Sequence, residues 1–424
     1  MKDEKKAPEL RFKGFTDDWE QRKLGDVADR VTRKNKGTVS ELPLTISAQD
    51  GLISQDEFFN KKVASKDLSS YLLLHHGDFA YNKSYSNGYP FGTIKRLEKY
   101  PQGVVSSLYI AFKPNSRISS DFMAQYYESN NWHKEIYKCA AEGARNHGLL
   151  NVPPSDFFAT DLNIPIKKSE QLKIGRLLNA VDHTITLHEE KKRQLERLKS
   201  ALLQKMFADK SRYPAVRFNG FRDEWKKQKL GDIVETITDY VAAGSFASLR
   251  ENVIYRSEPC YAQLIRTADL KSNFSKIAPV YVDKQAFDFL YRVSLDKESV
   301  ILPNIGNCGE VYYVDPHELP YMRNVLGPNA ILIRSSSLNN HFLSVLFQSH
   351  NFQKSLKLII SPNGQTKFNK TELKRIKMVL PMDVNEQNSL SAFFKMINTA
   401  ISLQEHKSNI LKDLKSSLLQ KMFI

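Results

Sequence analysis

Leu198-Lys-Ser-Ala-Leu-Leu-Gln-Lys-Met-Phe207 is the stretch that decides the fold, because it occurs again as Leu414-Lys-Ser-Ser-Leu-Leu-Gln-Lys-Met-Phe423. Nine of the ten positions are identical, and the two copies lie 216 residues apart in a chain of 424 residues. A repeat at half the chain length indicates a tandem duplication. We therefore predict two large units that end in the same phrase.

A second repeat marks the beginning of each unit. Pro8-Glu-Leu-Arg-Phe-Lys-Gly-Phe-Thr-Asp-Asp-Trp19 recurs as Pro214-Ala-Val-Arg-Phe-Asn-Gly-Phe-Arg-Asp-Glu-Trp225, and we call these segments the first and second box. We interpret their aromatic residues as a small packed core. The sequences between the boxes and the long terminal stretches show almost no correspondence. Shared ends around divergent middles predict one frame that carries two different surfaces.

Each unit is predicted to close with a long helix. The pairs Glu170-Gln171 and Glu386-Gln387 open these helices, and the first should run over residues 169–207. A helix of about 39 residues is about 60 Å long. Its apolar residues recur at spacings of three and four, which predicts one apolar stripe.

Because the two stripes match, we expect the helices to pack on each other as an antiparallel coiled coil. The alternative is that each helix packs on its own domain. The predicted helix-pair interface consists of Leu178, Val181, Ile185, Leu195, Leu198, Leu202, Ile397, Ile401, Leu411, Leu414 and Leu418. Phe423, at the end of the second helix, should then lie near Pro8.

The divergent middles combine short β-type runs, broken by Gly, Asn and Pro, with helical patterns over residues 120–137 and 341–356. The predicted class is α+β, with two mixed α/β domains in a pseudo-two-fold arrangement, separated by the two long helices. The predicted domains are residues 1–166 (first box and first mixed domain), 167–207 (first long helix), 208–382 (linker, second box and second mixed domain) and 383–424 (second long helix).

Composition limits the partners. The chain has 62 Lys and Arg against 47 Asp and Glu, a formal net charge of +15, which favours a polyanion such as nucleic acid. A generically basic protein is the alternative. Three scattered cysteines are too few for a disulfide framework or a zinc site, which indicates a reducing compartment. No signal sequence and no apolar run of about 20 residues is found, so we expect a cytoplasmic protein without a membrane segment.

Motifs of catalysis are absent from the sequence. It contains no phosphate-binding loop, no dinucleotide fingerprint and no His-Glu-x-x-His zinc motif. Asn151-Val-Pro-Pro-Ser155 resembles the motif of amino-methyltransferases only superficially, because Ser155 replaces the stacking aromatic residue. We therefore expect a non-enzymatic chain, with no cofactor and no metal of its own.

Polar loops suited to base contacts remain. Arg can bind guanine and Asn or Gln adenine, whereas Lys and Ser mostly hold phosphates. The candidate DNA-binding residues are Lys83, Ser84, Tyr85, Asn87, Tyr89, Arg145, Asn146 and His147 in the first domain and Asn304, Asn307, Arg323, Asn324, Asn363, Gln365, Thr366 and Lys367 in the second. A plain turn role is the alternative for each, since Asn and Gly form turns.

With both repeats in place, the chain resembles the specificity subunits of type I restriction-modification systems. The resemblance is carried by the boxes, by Gly77-Asp-Phe-Ala-Tyr-Asn-Lys83, by Leu326-Gly-Pro-Asn-Ala-Ile-Leu-Ile333 and by the repeated helix ends. It implies two target-recognition domains, each reading one half of a split double-stranded DNA site, with the helix pair as spacer.

The resemblance also implies partners: two methyltransferase subunits that carry S-adenosylmethionine, and one or two motor-nuclease subunits that use ATP and magnesium. The repeated surfaces themselves predict two copies of one partner. Three other functions are considered: a stand-alone DNA-binding regulator or architectural protein, a coiled-coil scaffold that binds protein only, and a catalytic chain.

Overall fold

The computed structural model describes residues 7–61, 63–84, 88–140, 150–209, 211–275, 277–361 and 366–424. The chain forms two compact units. Unit 1 consists of Met1–Glu190 with Glu405–Ile424, and unit 2 of Lys191–Gln404. Both units combine helices with sheets, so the predicted α+β class is confirmed. The units divide each long helix, whereas the predicted domain ranges kept each helix whole.

Unit 1 contains the first ten strands and the helices that precede the first long helix. The strands are β1 (Glu20–Lys23), β2 (Ala28–Arg30), β3 (Leu44–Ser47), β4 (Gly51–Ser54), β5 (Leu72–His75), β6 (Phe79–Asn82), β7 (Thr93–Arg96), β8 (Gln102–Val105), β9 (Ile110–Pro114) and β10 (Asp161–Ile164). The helices are α1 (Leu24–Val27), α2 (Gln55–Phe59), α3 (Ser120–Glu128), α4 (His133–Ala140), α5 (Pro154–Phe158) and the first part of the long helix α6 (Lys168–Lys205).

Unit 2 begins within α6 and ends within the second long helix. Its strands are β11 (Lys226–Lys229), β12 (Thr236–Asp239), β13 (Ala262–Ile265), β14 (Val280–Val282), β15 (Ser299–Pro303), β16 (Tyr312–Val314), β17 (Asn324–Leu326), β18 (Ala330–Arg334) and β19 (Lys377–Leu380). Its helices are α7 (Leu230–Ile233), α8 (Phe246–Asn252), α9 (Thr267–Lys271), α10 (Lys284–Phe289), α11 (Asn340–Gln348), α12 (His350–Ile359), α13 (Lys370–Lys374) and the first part of α14 (Val384–Met422), with 3-10 helices at Tyr240–Ala243, Tyr291–Val293 and Pro316–Glu318.

The two units share a sheet topology that their sequences do not reveal. Unit 1 has an antiparallel sheet of order β2-β9-β6-β7, and unit 2 has one of order β12-β18-β15-β16. In each sheet the first strand in sequence lies at one edge, the last lies next to it, and the second and third follow in order. The divergent middles are therefore two versions of one fold.

The strand directly after each box pairs with the strand that precedes a long helix. β1 is antiparallel to β10, with Glu20 opposite Ile164, and β11 is antiparallel to β19, with Lys226 opposite Leu380. This pairing places the box beside the first turn of the helix.

Two predicted helices are each divided in the structure. The helical pattern over residues 120–137 forms α3 and α4, and the pattern over residues 341–356 forms α11 and α12. Serine stands at both divisions: the Ser129 hydroxyl donates to the Tyr126 carbonyl at 2.6 Å, and the Ser349 hydroxyl accepts from the Phe352 N–H at 3.4 Å. Such local hydrogen bonds compete with helix continuation, which explains why the single-helix predictions were wrong.

The long helices pack against each other, as predicted. In unit 1, Lys415 of α14 lies 2.7 Å from Asp182 of α6, and Lys412 lies 2.6 Å from Glu189. As one residue number rises the other falls, so the helices are antiparallel there. Ile174 and Leu178 at the start of α6 also belong to the core of unit 1, so the alternative that a helix packs on its own domain holds at that end.

Two predicted interface residues do not face the partner helix. Leu198 and Leu414 are 49% and 46% exposed. The half-buried positions one residue later are Lys199 and Lys415. From Leu195 the half-buried positions continue by four to residue 199 and then by three to residue 202. Leu198 was predicted because it is apolar, but it lies outside this series. A lysine suits a half-buried position because its stem is apolar and its amine reaches a polar partner.

The end of each long helix enters an aromatic core. Phe423 is buried beside Trp19, with ring centres 6.4 Å apart, and the Leu10 N–H donates to the Lys421 carbonyl at 2.8 Å. In unit 2, Phe207 lies 6.1 Å from Trp225. Phe423 was expected near Pro8, and it packs on Trp19 at the other end of the same box.

Candidate nucleic-acid interface

Two loops from distant parts of the sequence meet in unit 2, and we call them the unit 2 loop pair. Residues 304–309 follow β15 and meet residues 366–368, which follow α12. The Gly306 N–H donates to the Thr366 carbonyl at 2.8 Å, and the Thr366 hydroxyl donates back to the Gly306 carbonyl at 2.6 Å. Gly306 has φ +82°, a conformation that other residues rarely adopt. This loop pair therefore contains four of the predicted residues, Asn304, Asn307, Thr366 and Lys367.

The side chains of this loop pair differ in their availability. Asn307, Thr366 and Lys367 are exposed. The Asn304 side chain donates to the Phe368 carbonyl at 3.4 Å, and its carbonyl oxygen is buried without a hydrogen-bond partner. We therefore correct the prediction for Asn304: its side chain holds the two loops together and does not face a ligand. Amide, hydroxyl and ammonium groups remain on the outer side.

Unit 1 has a loop pair at the same place in its sheet. Residues 83–84 follow β6, the strand at the position of β15, and meet residues 150–152. The Leu150 N–H donates to the Lys83 carbonyl at 3.0 Å, and the Lys83 ammonium donates to the Val152 carbonyl at 3.3 Å. Burial lowers the pKa of Lys83. Lys83 thus stabilises the loop pair, and Ser84 lies next to it.

Several predicted residues lie outside the described residues. They are Tyr85, Asn87, Arg145, Asn146, His147, Asn363 and Gln365. These positions border the two loop pairs in the sequence, and their roles stay predictions.

Three predicted residues lie elsewhere. Arg323 and Asn324 are at the start of β17, in the second sheet of unit 2, whose order is β14-β13-β17. Asn324 is buried and donates to the Tyr321 carbonyl at 2.6 Å, so the predicted base contact of Asn324 was wrong and its side chain closes a turn. Arg323 is exposed. Tyr89 is exposed at the rim of a cleft in unit 1.

That cleft was not predicted from the sequence. It has a volume of about 1000 Å³ and lies between β7, α3 and the helix pair of unit 1. Its charges are paired internally: Lys95 lies 2.5 Å from Glu128, and Lys415 lies 2.7 Å from Asp182. Because these cations are neutralised, the cleft does not form an anion site. No sequence pattern marks it, since its walls come from five separate segments, which include the turn between β3 and β4.

The His, Cys, Asp and Glu residues of the described part of the chain bear on metal binding and nucleophilic chemistry. No group of three or more His, Cys, Asp or Glu residues there could hold a metal ion. Burial raises the pKa of the Cys139 and Cys308 thiols, whereas a reactive cysteine needs a lowered pKa. Among the described residues, no helix is long and apolar enough to cross a membrane.

Comparison with known proteins gives a family match over part of the chain and a shared fold. Residues 222–413 match the Type I restriction modification DNA specificity domain. A type I restriction-modification system S subunit from M. genitalium is 15% identical over 99% of this chain and 99% of its own, with a TM-score of 0.61. A chain from a structural study of complex assembly and conformational transition of the type I R-M system is 17% identical, covers 96% of this chain and 97% of its own, and has a TM-score of 0.52. No curated protein matches the sequence.

Proposed function

Because the chain carries a type I restriction-modification DNA specificity domain and has the fold of a solved specificity subunit, we propose that it is the DNA-recognition subunit of a type I restriction-modification complex. In this proposal each unit reads one half of a split, asymmetric site in double-stranded DNA. The helix pair, as a coiled coil, sets the spacer between the halves.

One observation carries the proposal: the units place different loop residues on one topology. The loop after β6 offers Ser84, whereas the equivalent loop after β15 offers Asn307, joined by Thr366 and Lys367. Asn can pair with adenine, and Lys and Ser can hold phosphates, whereas the Thr366 hydroxyl, which donates to Gly306, can still accept from a base edge. Equal frames with unlike loops are what independent reading of two unlike half-sites requires.

Chemistry is assigned to partner subunits. Methylation of a base within a duplex requires the base to be flipped into a pocket, a task that we assign to methyltransferase subunits with S-adenosylmethionine. Motor-nuclease subunits would supply ATP and magnesium. The specificity subunit itself is non-catalytic in this proposal, and it acts in the cytoplasm, where the DNA is.

Two copies of the methyltransferase are supported by the outer faces of the long helices. In unit 1, Leu187 of α6 and Leu414 of α14 are exposed, and in unit 2 so are their repeats 216 residues away, Leu403 of α14 and Leu198 of α6. The duplication places exposed leucines at equivalent positions, which makes them candidates for a repeated protein contact. We propose that each face binds one methyltransferase subunit, and that one or two motor-nuclease subunits join this core.

The first experiment tests independent reading. The chain is expressed with its methyltransferase partner, and modified adenines are mapped across a genome before and after residues 28–160 are exchanged for those of another specificity subunit. One half of the recognised sequence should change and the other half should stay. A change in both halves, or in neither, would contradict the proposal.

A second experiment tests the spacer. Four residues inserted within 189–199 lengthen α6 by about 6 Å, close to two base-pair steps of about 3.4 Å. The spacer should lengthen by one or two base pairs while both half-sites remain. The same four residues inserted at the exposed segment 211–213 serve as control. An unchanged spacer would show that the helix pair does not set the separation.

A further inference from the structure

A corner of unit 2 outside the loop pair brings a cation against an aromatic ring. It consists of Tyr261, which precedes β13, and residues 321–324, which lead into β17. The guanidinium carbon of Arg323 lies 4.6 Å from the centre of the Tyr261 ring, within the range of a cation–π contact. Met322, the neighbouring residue, is 88% exposed. An apolar side chain and a guanidinium over an aromatic ring therefore lie together at the surface.

The backbone of this corner is fixed by hydrogen bonds. The Gln263 N–H donates to the Arg323 carbonyl at 2.9 Å, and the Tyr321 hydroxyl donates to the Cys260 carbonyl. The buried Asn324 amide donates to the Tyr321 carbonyl at 2.6 Å. With its backbone held by β13 and its side chain held by Tyr261, Arg323 loses little freedom on binding a ligand.

The charge of Arg323 differs from that of a nearby arginine. Arg266, at the end of β13, lies 2.7 Å from Asp269 and is neutralised. Within the described residues, Arg323 contacts an aromatic ring and no carboxylate. Among the described residues, no hydrogen bond uses an N–H group of the Arg323 side chain, so these donors are available to a ligand. The corner thus presents an uncompensated cation with a defined orientation.

We propose that Arg323, oriented by the Tyr261 ring, is a second DNA contact of unit 2; this rests on the proposed function. The N–H fork of a guanidinium fits two adjacent acceptors, which DNA offers as phosphate oxygens or as O6 and N7 of guanine. Tyr261 is a positioning residue here, because it acts through Arg323.

The described residues of unit 1 show no such contact at the equivalent corner, which makes the corner a difference between the half-sites. Its β8 corresponds to β17, since Pro43 bridges Val104 of β8 in parallel just as β13 pairs with β17. Residues 97–101, which lead from β7 towards β8, contain Lys99 but no arginine. The proposed contact therefore serves one half-site only.

The test uses the full chain in complex with its methyltransferase subunit. Binding to a labelled duplex that carries the mapped site is measured by fluorescence anisotropy at several salt concentrations. The variants are Arg323→Ala, Tyr261→Phe, Tyr261→Leu and the double variant Arg323→Ala with Tyr261→Leu. Arg250→Ala, an exposed arginine on α8, is the matched control.

Arg323→Ala should weaken binding about tenfold, and Tyr261→Leu a few-fold, whereas Tyr261→Phe should bind normally because the ring remains. The double variant should be no weaker than Arg323→Ala alone, because Tyr261 acts through Arg323. A phosphate contact would lower the salt dependence for any sequence, and a guanine contact would relax one position of the half-site read by unit 2. Normal binding by Arg323→Ala, or additive losses, would overturn the inference. Failure of the wild-type complex to prefer the mapped site would instead count against the proposed function.

Discussion

Arg11 contacts Glu170 at two points, with Nε 2.6 Å from Oε1 and Nη2 2.9 Å from Oε2. The pair repeats in unit 2, where Arg217 contacts Glu386 at 2.7 and 2.8 Å. The two carboxylates are only 1% and 2% exposed. Each pair joins a box to the first turn of a long helix. The repeated segment at the start of each repeat is therefore bound to the repeated helix at its end.

Removing one partner of this pair should lower the free energy of unfolding. Arg217→Met leaves the buried Glu386 carboxylate with Trp225 Nε1, at 3.2 Å, as its remaining donor, and should lower the free energy of unfolding by about 3–5 kcal/mol. Urea unfolding followed by tryptophan fluorescence measures the loss. Arg212→Met, which breaks an exposed pair with Glu224, should cost less than about 1 kcal/mol. Equal losses of unfolding free energy in the two variants would mean that the buried pair stabilises the protein no more than the exposed pair does.

A glycine sets how closely α6 approaches α3. A Cβ at Gly175 would lie 2.6 Å from the Asp121 Cβ and 2.8 Å from its carbonyl carbon. The equivalent residue of the second repeat is Ser391, which has room to contact His341 Nδ1 at 2.9 Å. Gly175→Ser should therefore destabilise unit 1 by about 1–3 kcal/mol.

Thermal unfolding of this variant can be compared with Ala180→Ser, at an exposed position of the same helix. The Ala180 variant should unfold close to the wild-type temperature. If Gly175→Ser did the same, α3 and α6 would have more space between them than their backbones indicate.

Neighbouring leucines of α14 should respond differently to charge. Leu411 is half-buried in the helix pair of unit 1, close in sequence to Lys412 and Lys415, whereas Leu414 faces outward. Leu411→Lys should lower stability by about 1–3 kcal/mol, and Leu414→Lys by less than about 0.5 kcal/mol. Urea unfolding separates the two.

The outward leucine has a different expected role. Leu414→Lys should weaken co-purification of the methyltransferase subunit, because it places a charge on the proposed docking face. Normal stability together with normal co-purification would remove Leu414 from that face.

His341 should make unit 2 sensitive to acid. Burial, with Lys395 and Lys199 nearby, lowers the pKa of His341 to about 4. In the unfolded chain the pKa returns to about 6.5. The unfolded state therefore binds more protons between these values, so the stabilisation is complete above about pH 6.5 and is lost as the pH falls towards 4.

The urea midpoint measured from pH 7 to pH 4.5 tests this effect. Carboxylates titrate in the same range, so the comparison is with His341→Gln, which keeps a hydrogen-bonding group beside Ser391 without titrating. The wild-type midpoint should fall further than that of the variant. Parallel curves would show that His341 does not contribute.

Local patterns were sufficient to predict much of the fold. The long helix predicted over residues 169–207 is α6, Lys168–Lys205, because spacing and the absence of proline act within the helix itself. The choice between Leu198 and Lys199 could not be made locally, since either continues a spacing of three or four. It depends on the partner: the Lys199 ammonium donates to Gln348 Oε1 at 2.8 Å.

The candidate site was predictable only in part. Asn307, Thr366 and Lys367 were found from residue type, but their proximity depends on the meeting of two loops about 60 residues apart, as the Gly306 and Thr366 pair shows. The same reasoning chose Asn324, a residue of suitable chemistry that the fold buries in a turn. Residue type identifies possible contacts, and burial, which is a tertiary property, selects among them.

Unit 1 includes the last residues of the chain in its core, which has a consequence for synthesis on the ribosome. Met422 and Phe423 are buried in unit 1, whereas the core of unit 2 draws on residues from Met206 to Ile397. At about 5–20 residues per second, the segment Glu405–Ile424 follows unit 2 by one to four seconds. The unit whose synthesis begins first is therefore the one whose core is completed last, after its neighbour has been made.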